Sequence, residues 1–128
     1  SLSQGALEAT GFALQLPDTV FSERPALRRY EGRKLVFGAR PEVLYDSTLA
    51  SGRSYQTIPA DIVTVEELGS EHVVHLRLDA VPVDSGGLSN AVARFEPASS
   101  VGPGRSISLA VDCSKLHFFD PDTHLAIR

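Results

Sequence analysis

The sequence predicts an all-β domain with one short helix and about eight or nine short strands. Three observations carry this. Apolar and polar residues alternate in short runs, clearest in Val74, Leu76 and Leu78 against His75, Arg77 and Asp79, and in Ile107, Leu109 and Val111 against Ser108, Ala110 and Asp112. A period of two marks a strand with one face buried. Turn residues such as Gly69-Ser70, Pro103-Gly104 and Asp120-Pro121-Asp122 punctuate these runs, each supplying a backbone geometry or local hydrogen bond that ends a strand. The chain has 128 residues, 42% hydrophobic and 22% charged, which is the size and balance of about one globular domain.

Taken in order, residues 5–16 read as a strand at Ala6-Leu7-Glu8, a turn at Ala9-Thr10-Gly11, and a strand in which Phe12, Leu14 and Leu16 alternate with Ala13 and Gln15. Pro17-Asp18 ends the pair. Ser22-Glu23-Arg24-Pro25 starts the short helix, with proline in its first turn and Ala26, Leu27 and Tyr30 on one side, and Gly32 stops it. Residues 33–38 form the next strand, with Leu35 and Phe37 on one face. Pro41 withdraws an amide donor and biases Arg40 away from helix, so Gly38, Ala39, Arg40, Pro41 and Glu42 turn the chain before Val43-Leu44-Tyr45 resumes an extended path.

Residues 46–59, rich in Ser, Thr and Gly, read as an exposed connection. Residues 61–79 then form a β-hairpin: Val63 and Val65 share a face of the first arm, Gly69 and Ser70 make the turn, and Val74, Leu76 and Leu78 face inward in the second arm. Residues 82–87 are a further turn, and residues 88–95 a strand that buries Val92 together with Ala91 and Phe95. Pro103 and Gly104 suit the two central positions of a type II turn. The closing strands carry Ile107, Leu109, Val111, Leu116, Phe118, Leu125 and Ile127 around the turn Asp120-Pro121-Asp122-Thr123.

A net charge of −4 argues against nucleic acid as a partner, since phosphate binding is driven by clustered cations. The longest apolar runs are too short to span a bilayer, so no direct membrane insertion is expected. A single cysteine, Cys113, excludes an intramolecular disulfide and fits a reducing compartment. The chain has no methionine and opens Ser1-Leu2-Ser3, which leads us to expect a piece of a longer protein.

No constellation for catalysis stands out. There is no phosphate loop of the form G-x-x-x-x-G-K-[ST], no G-x-G-x-x-G, no G-x-S-x-G and no H-E-x-x-H. His72 and His75 are three apart on a strand and point to opposite faces, and His117 with His124 lacks further ligands, so no metal is expected. Cys113 has Lys115 two residues on, placed to lower its pKa, but a lone cysteine on an alternating strand reads as a packing residue. Glu66, Glu67 and Glu71 read as solvated acids at the hairpin end. Arg24, Arg28, Arg29, Arg33 and Lys34 form the one basic cluster, either the polar side of a surface helix or a site for an anion or acidic partner.

Three ordered motifs carry a resemblance. Val36-Phe37-Gly38-Ala39-Arg40-Pro41-Glu42 resembles the glycine-hydrophobic-Arg-Pro-Glu signature in the C-terminal regulatory part of ATP-binding subunits of maltose, glycerol-3-phosphate and trehalose-type sugar ABC importers. Val65-Glu66-Glu67-Leu68-Gly69-Ser70-Glu71 is similar to that family's Val-Glu-x-Leu-Gly-x-Glu, and Leu116-His117-Phe118-Phe119-Asp120 resembles its Leu-His-hydrophobic-Phe-Asp ending. The resemblance implies an OB-fold-like TOBE barrel: residues 1–128 as one regulatory domain, cut from an ATPase subunit whose nucleotide-binding domain holds ATP and Mg. The fragment lacks the Walker A, signature and Walker B motifs, so by itself it is expected to be no enzyme and to bind no cofactor.

The implied partners are that nucleotide-binding domain, a second copy of the subunit, the membrane permease subunits indirectly and, in some relatives, a regulatory protein. The implied location is the cytoplasmic face of the cell membrane. Leu68, Gly69, Ser70 and Glu71 are the expected interdomain or regulator contact, and Gly38, Arg40, Pro41 and Glu42 the structural turn. Ala39 replaces a larger aliphatic, and His124 stands where the family often has glycine, which disfavours a positive φ there. The alternative is a small-ligand or oxyanion sensor, since Ser51-Gly52-Arg53-Ser54 resembles, without its asparagine, the anion motif of related importers.

Overall fold

The computed structural model describes residues 1–48, 55–79, 91–96 and 101–128. In chain order it contains β1 (Leu2–Ser3), β2 (Ala6–Glu8), β3 (Ala13–Gln15), helix α1 (Asp18–Glu23), a 3-10 turn (Pro25–Tyr30), β4 (Val36–Gly38), a 3-10 turn (Pro41–Val43) and β5 (Leu44–Asp46). It continues with β6 (Gln56–Glu67), β7 (His72–Leu78), β8 (Ala91–Phe95), β9 (Ser106–Val111), a 3-10 turn (Cys113–Lys115) and β10 (His117–Phe119).

Five strands make one antiparallel sheet in the order β5-β9-β6-β7-β8. Its edges, β5 and β8, come together, so the sheet curls into a nearly closed, OB-like barrel. Curling covers strand edges that would otherwise expose unpaired backbone groups. Strand β6 supplies much of the bend. Ile58, Ala60 and Ile62 point inward, a β-bulge follows between Ile62 and Thr64, and Val65 then packs on the core opposite Val74. The bulge absorbs one extra residue, so the expected pairing of Val63 with Val65 on one face gives way to Ile62 and Val65.

The connection expected over residues 46–59 is shorter than its composition suggests, because residues 56–59 already belong to β6. Pro59 is tolerated there by register. Ser47 donates to the Ser108 carbonyl at 3.4 Å on the β5 side, so the Pro59↔Ser108 pair shares no ladder bond, and β7 pairing starts only at Ala60↔Leu78. The missing amide therefore faces a position beyond the ladder. In β8 the inward residues are Ala93 and Phe95, with Val92 only half-buried. Directly paired residues share a face, and Ala93 opposes the buried Val74 while Val92 opposes His75.

The remaining strands cap the barrel. Strands β1, β2 and β3 form a small sheet, β4 pairs with β10, and Leu2, Leu7, Leu14, Val20, Leu27, Leu116 and Phe118 join the same buried cluster as the barrel residues. The small sheet touches the barrel at Gly11, whose amide donates to the Asp79 carbonyl at 3.2 Å. A Cβ at Gly11 would lie 2.2 Å from Asp79 Oδ2 and 2.7 Å from its Cβ, so only glycine permits this approach.

The helical segment begins earlier than expected. Helix α1 runs from Asp18 behind an extended Pro17, burying Val20 and Phe21, and Arg24 leaves helical geometry at φ −132, ψ 73. A residue before proline is pushed out of the helical region, so Pro25 ends α1 and starts the 3-10 turn that carries the buried Leu27. Positive φ also reaches His124, at 61, contrary to the expectation from its side chain. The Asp120 carboxylate accepts from the amides of Asp122 at 2.8 Å and Thr123 at 2.9 Å, and His124 donates to the Asp120 carbonyl at 2.9 Å. These bonds hold a conformation that histidine visits more readily than most residues.

Candidate interaction site

The β6–β7 hairpin ends where alternation stops. Gly69 takes φ 84, and the Leu68 amide donates to the Glu71 carbonyl at 2.9 Å. Leu68 is left 57% exposed; among the described residues Leu125, at 69%, is the other large apolar side chain so exposed. The acids beside it are not all free: Glu66 Oε1 lies 3.8 Å from His75 Nε2, and Glu71 Oε2 lies 3.7 Å from Arg94 Nε on β8. The Gly38, Arg40, Pro41, Glu42 turn is closed by backbone, the Val43 amide donating to the Arg40 carbonyl at 3.0 Å. The Arg40 and Glu42 side chains are exposed, and Gly38 is paired with His117.

Strand β8 links the two stretches. The 3-10 turn Pro41–Val43 packs against β8, and the hairpin end reaches the same strand through the Glu71–Arg94 ion pair. Ser51, Gly52, Arg53 and Ser54 lie outside the described residues. Among the described residues no group of three or more His, Cys, Asp or Glu side chains is arranged to hold a metal ion.

Cys113 is buried, and burial, with the neighbouring Asp112 adding to it, pushes its thiol up to about 11. That is the reverse of a Lys115 effect; the Lys115 amine instead lies 3.8 Å from Asp112 Oδ2. A protonated, enclosed thiol is a poor nucleophile.

Sequence reading missed a latch spanning most of the chain. The Tyr30 hydroxyl donates to Asp120 Oδ2 at 2.5 Å. This bond, with the Thr123 and Asp122 amides, holds the Asp120 carboxyl down at about 2, and the same bond raises Tyr30. Nearby, Arg24 Nη2 donates to the Leu116 carbonyl at 3.1 Å and its guanidinium lies 5.7 Å from the Phe118 ring centre. Asp61 accepts from Ser106 Oγ at 2.7 Å and from Arg77 at 3.3 Å, and both bonds lower its carboxyl. Apart from the Asp122 and Thr123 amides, which belong to the turn at Asp120 itself, these partners lie 16 or more residues apart, so no local pattern announces them.

The curled sheet and its capping strands define an OB-like all-β domain. No protein-family model matches the chain. It is 38% identical over 100 residues to the trehalose/maltose import ATP-binding protein MalK of Thermococcus litoralis, covering 77% of this chain and 25% of that protein. It is 35% identical over 101 residues to the multiple sugar-binding transport ATP-binding protein MsmK of Streptococcus mutans, covering 77% of this chain and 24% of that protein. Against the oligosaccharides import ATP-binding protein MsmX of Bacillus subtilis it is 30% identical over 131 residues, 99% of this chain and 33% of that protein. The chain is thus homologous to a segment of the ATP-binding subunits of sugar ABC importers. It spans about a quarter to a third of the length of these relatives.

Proposed function

We propose that this chain is a regulatory and dimer-stabilising domain, itself non-catalytic, of the ATP-hydrolysing subunit of a carbohydrate ABC importer. One observation carries the reading: the relatives match 77–99% of the chain, yet the chain fills only 24–33% of them. The matched piece is a β domain whose sequence holds no phosphate loop. In this reading ATP and Mg belong to another domain of the parent, the C-terminal placement is what the resemblance of the three motifs implies, and the parent sits at the cytoplasmic face of the membrane beside its permease subunits. The exposed Leu68 with Gly69, Ser70 and Glu71 is the contact to the nucleotide-binding domain, the second subunit or a regulator.

Deletion of this segment from the parent subunit tests the proposal. Analytical ultracentrifugation is expected to show a weakened dimer, and reconstituted transport to become uncoupled from ATP hydrolysis, while nucleotide binding persists. An unchanged dimer with unchanged transport would sink the reading.

A further inference from the structure

Positive charge is unevenly placed in this acidic chain. Arg28, Arg29, Arg33 and Lys34 are all exposed along the 3-10 turn Pro25–Tyr30 and the residues just after it, although the whole chain carries a net charge of −4. Among the described residues none of the four lies within ion-pair distance of a carboxylate, although Arg33, after the Tyr30 bond and the Thr123 and Asp122 amides, also helps to lower the Asp120 carboxyl. Glu31, the acid between them, accepts a hydrogen bond from the Gln4 amide. Two of the cations are fixed on rings: the Arg28 guanidinium lies 5.0 Å from the Phe21 ring centre and that of Arg33 lies 4.8 Å from the Tyr30 ring centre. Stacking pre-orders a guanidinium and leaves its N–H edge free to grip a carboxylate at two points.

We propose that this strip docks an acidic polypeptide segment of another protein. The strip adds no exposed large apolar side chain of its own, so it lacks the anchor that seats a basic surface in a membrane interface. The rings beside the strip, Phe21 and Tyr30, are covered by Arg28 and Arg33, which removes the platform that single-stranded nucleic acid uses. The inference does not depend on the importer reading and holds in any parent protein.

Fluorescence anisotropy of a labelled oligoglutamate peptide, titrated with the chain at low and high salt, tests it. The peptide is expected to bind at low salt and to be released as salt screens the contact. The reversal Arg29→Glu with Lys34→Glu, which disturbs neither stacked ring, is expected to weaken binding roughly tenfold. The reversal Arg105→Glu with Lys115→Glu is expected to leave binding unchanged. No binding of the peptide, equal loss in both variants, or tighter binding to phosphatidylserine vesicles or a single-stranded oligonucleotide would overturn the proposal. So would a salt-sensitive dimer that disappears with the first reversal.

Discussion

The hairpin end at residues 68–71 and the turn at residues 120–124 are both tight reversals between short extended segments, but they are held in opposite ways. Around Asp120 one carboxylate takes three donors, Tyr30 from the helical segment and the amides of Asp122 and Thr123. Phe118 and Ile127 on either side are buried. At the hairpin end a single backbone bond closes the turn, the Glu71–Arg94 ion pair lies at the periphery, and Leu68 faces solvent. Around Asp120 the carboxylate is spent on the fold while Asp122, Thr123, His124 and Leu125 stay exposed, whereas at the hairpin end Leu68 faces solvent and Glu71 keeps only a surface pair with Arg94. Substitutions near Asp120 are therefore expected to be felt as stability, and those at residues 68–71 as altered contacts.

The largest effect should come from the latch side. Phe118 is 1% exposed on β10, and Phe118→Ala is expected to cost about 3–5 kcal/mol, as large-to-small changes in a packed core do. A matching fall in the urea midpoint at unchanged slope checks this. A smaller effect should appear in acid. Asp120 is held at about 2 against an ordinary 3.8, so its contribution is complete above 3.8 and is lost as the pH falls toward about 2. Tyr30→Phe removes the bond that lowers Asp120 most, and the acid limb of a stability-against-pH curve should flatten in that variant. An identical limb in both proteins would show that the bond does not form in solution.

The barrel was largely legible because alternation in residues 74–78 and 107–111 marks β7 and β9, although Ala110, on the polar phase of β9, is buried as well, and Gly69 and Gly104 mark turns that take positive φ. Features that depend on a partner strand were not. The bulge at Val63 inserts one residue without changing composition, and the inward phase of β8 is set by register with β7, not by which of its residues is most apolar. Helix α1 was misplaced because Pro25 is an equally good first residue for the 3-10 turn that follows it. At the candidate site the exposed Leu68-Gly69-Ser70 sequence could be read directly, but the pairing of Glu71 with Arg94 joins two separate strands and leaves no local trace.

Glu71 is the sharpest test of the contrast between the two turns. Its partner Arg94 is 53% exposed, and breaking such a surface pair costs about 0–1 kcal/mol. Glu71→Lys should therefore leave the thermal melt of the chain nearly unchanged while weakening the coupling of ATP hydrolysis to transport in the subunit that carries it. A melt lowered as far as by Phe118→Ala, or coupling that is untouched, would contradict the assignment of the hairpin end as a contact surface.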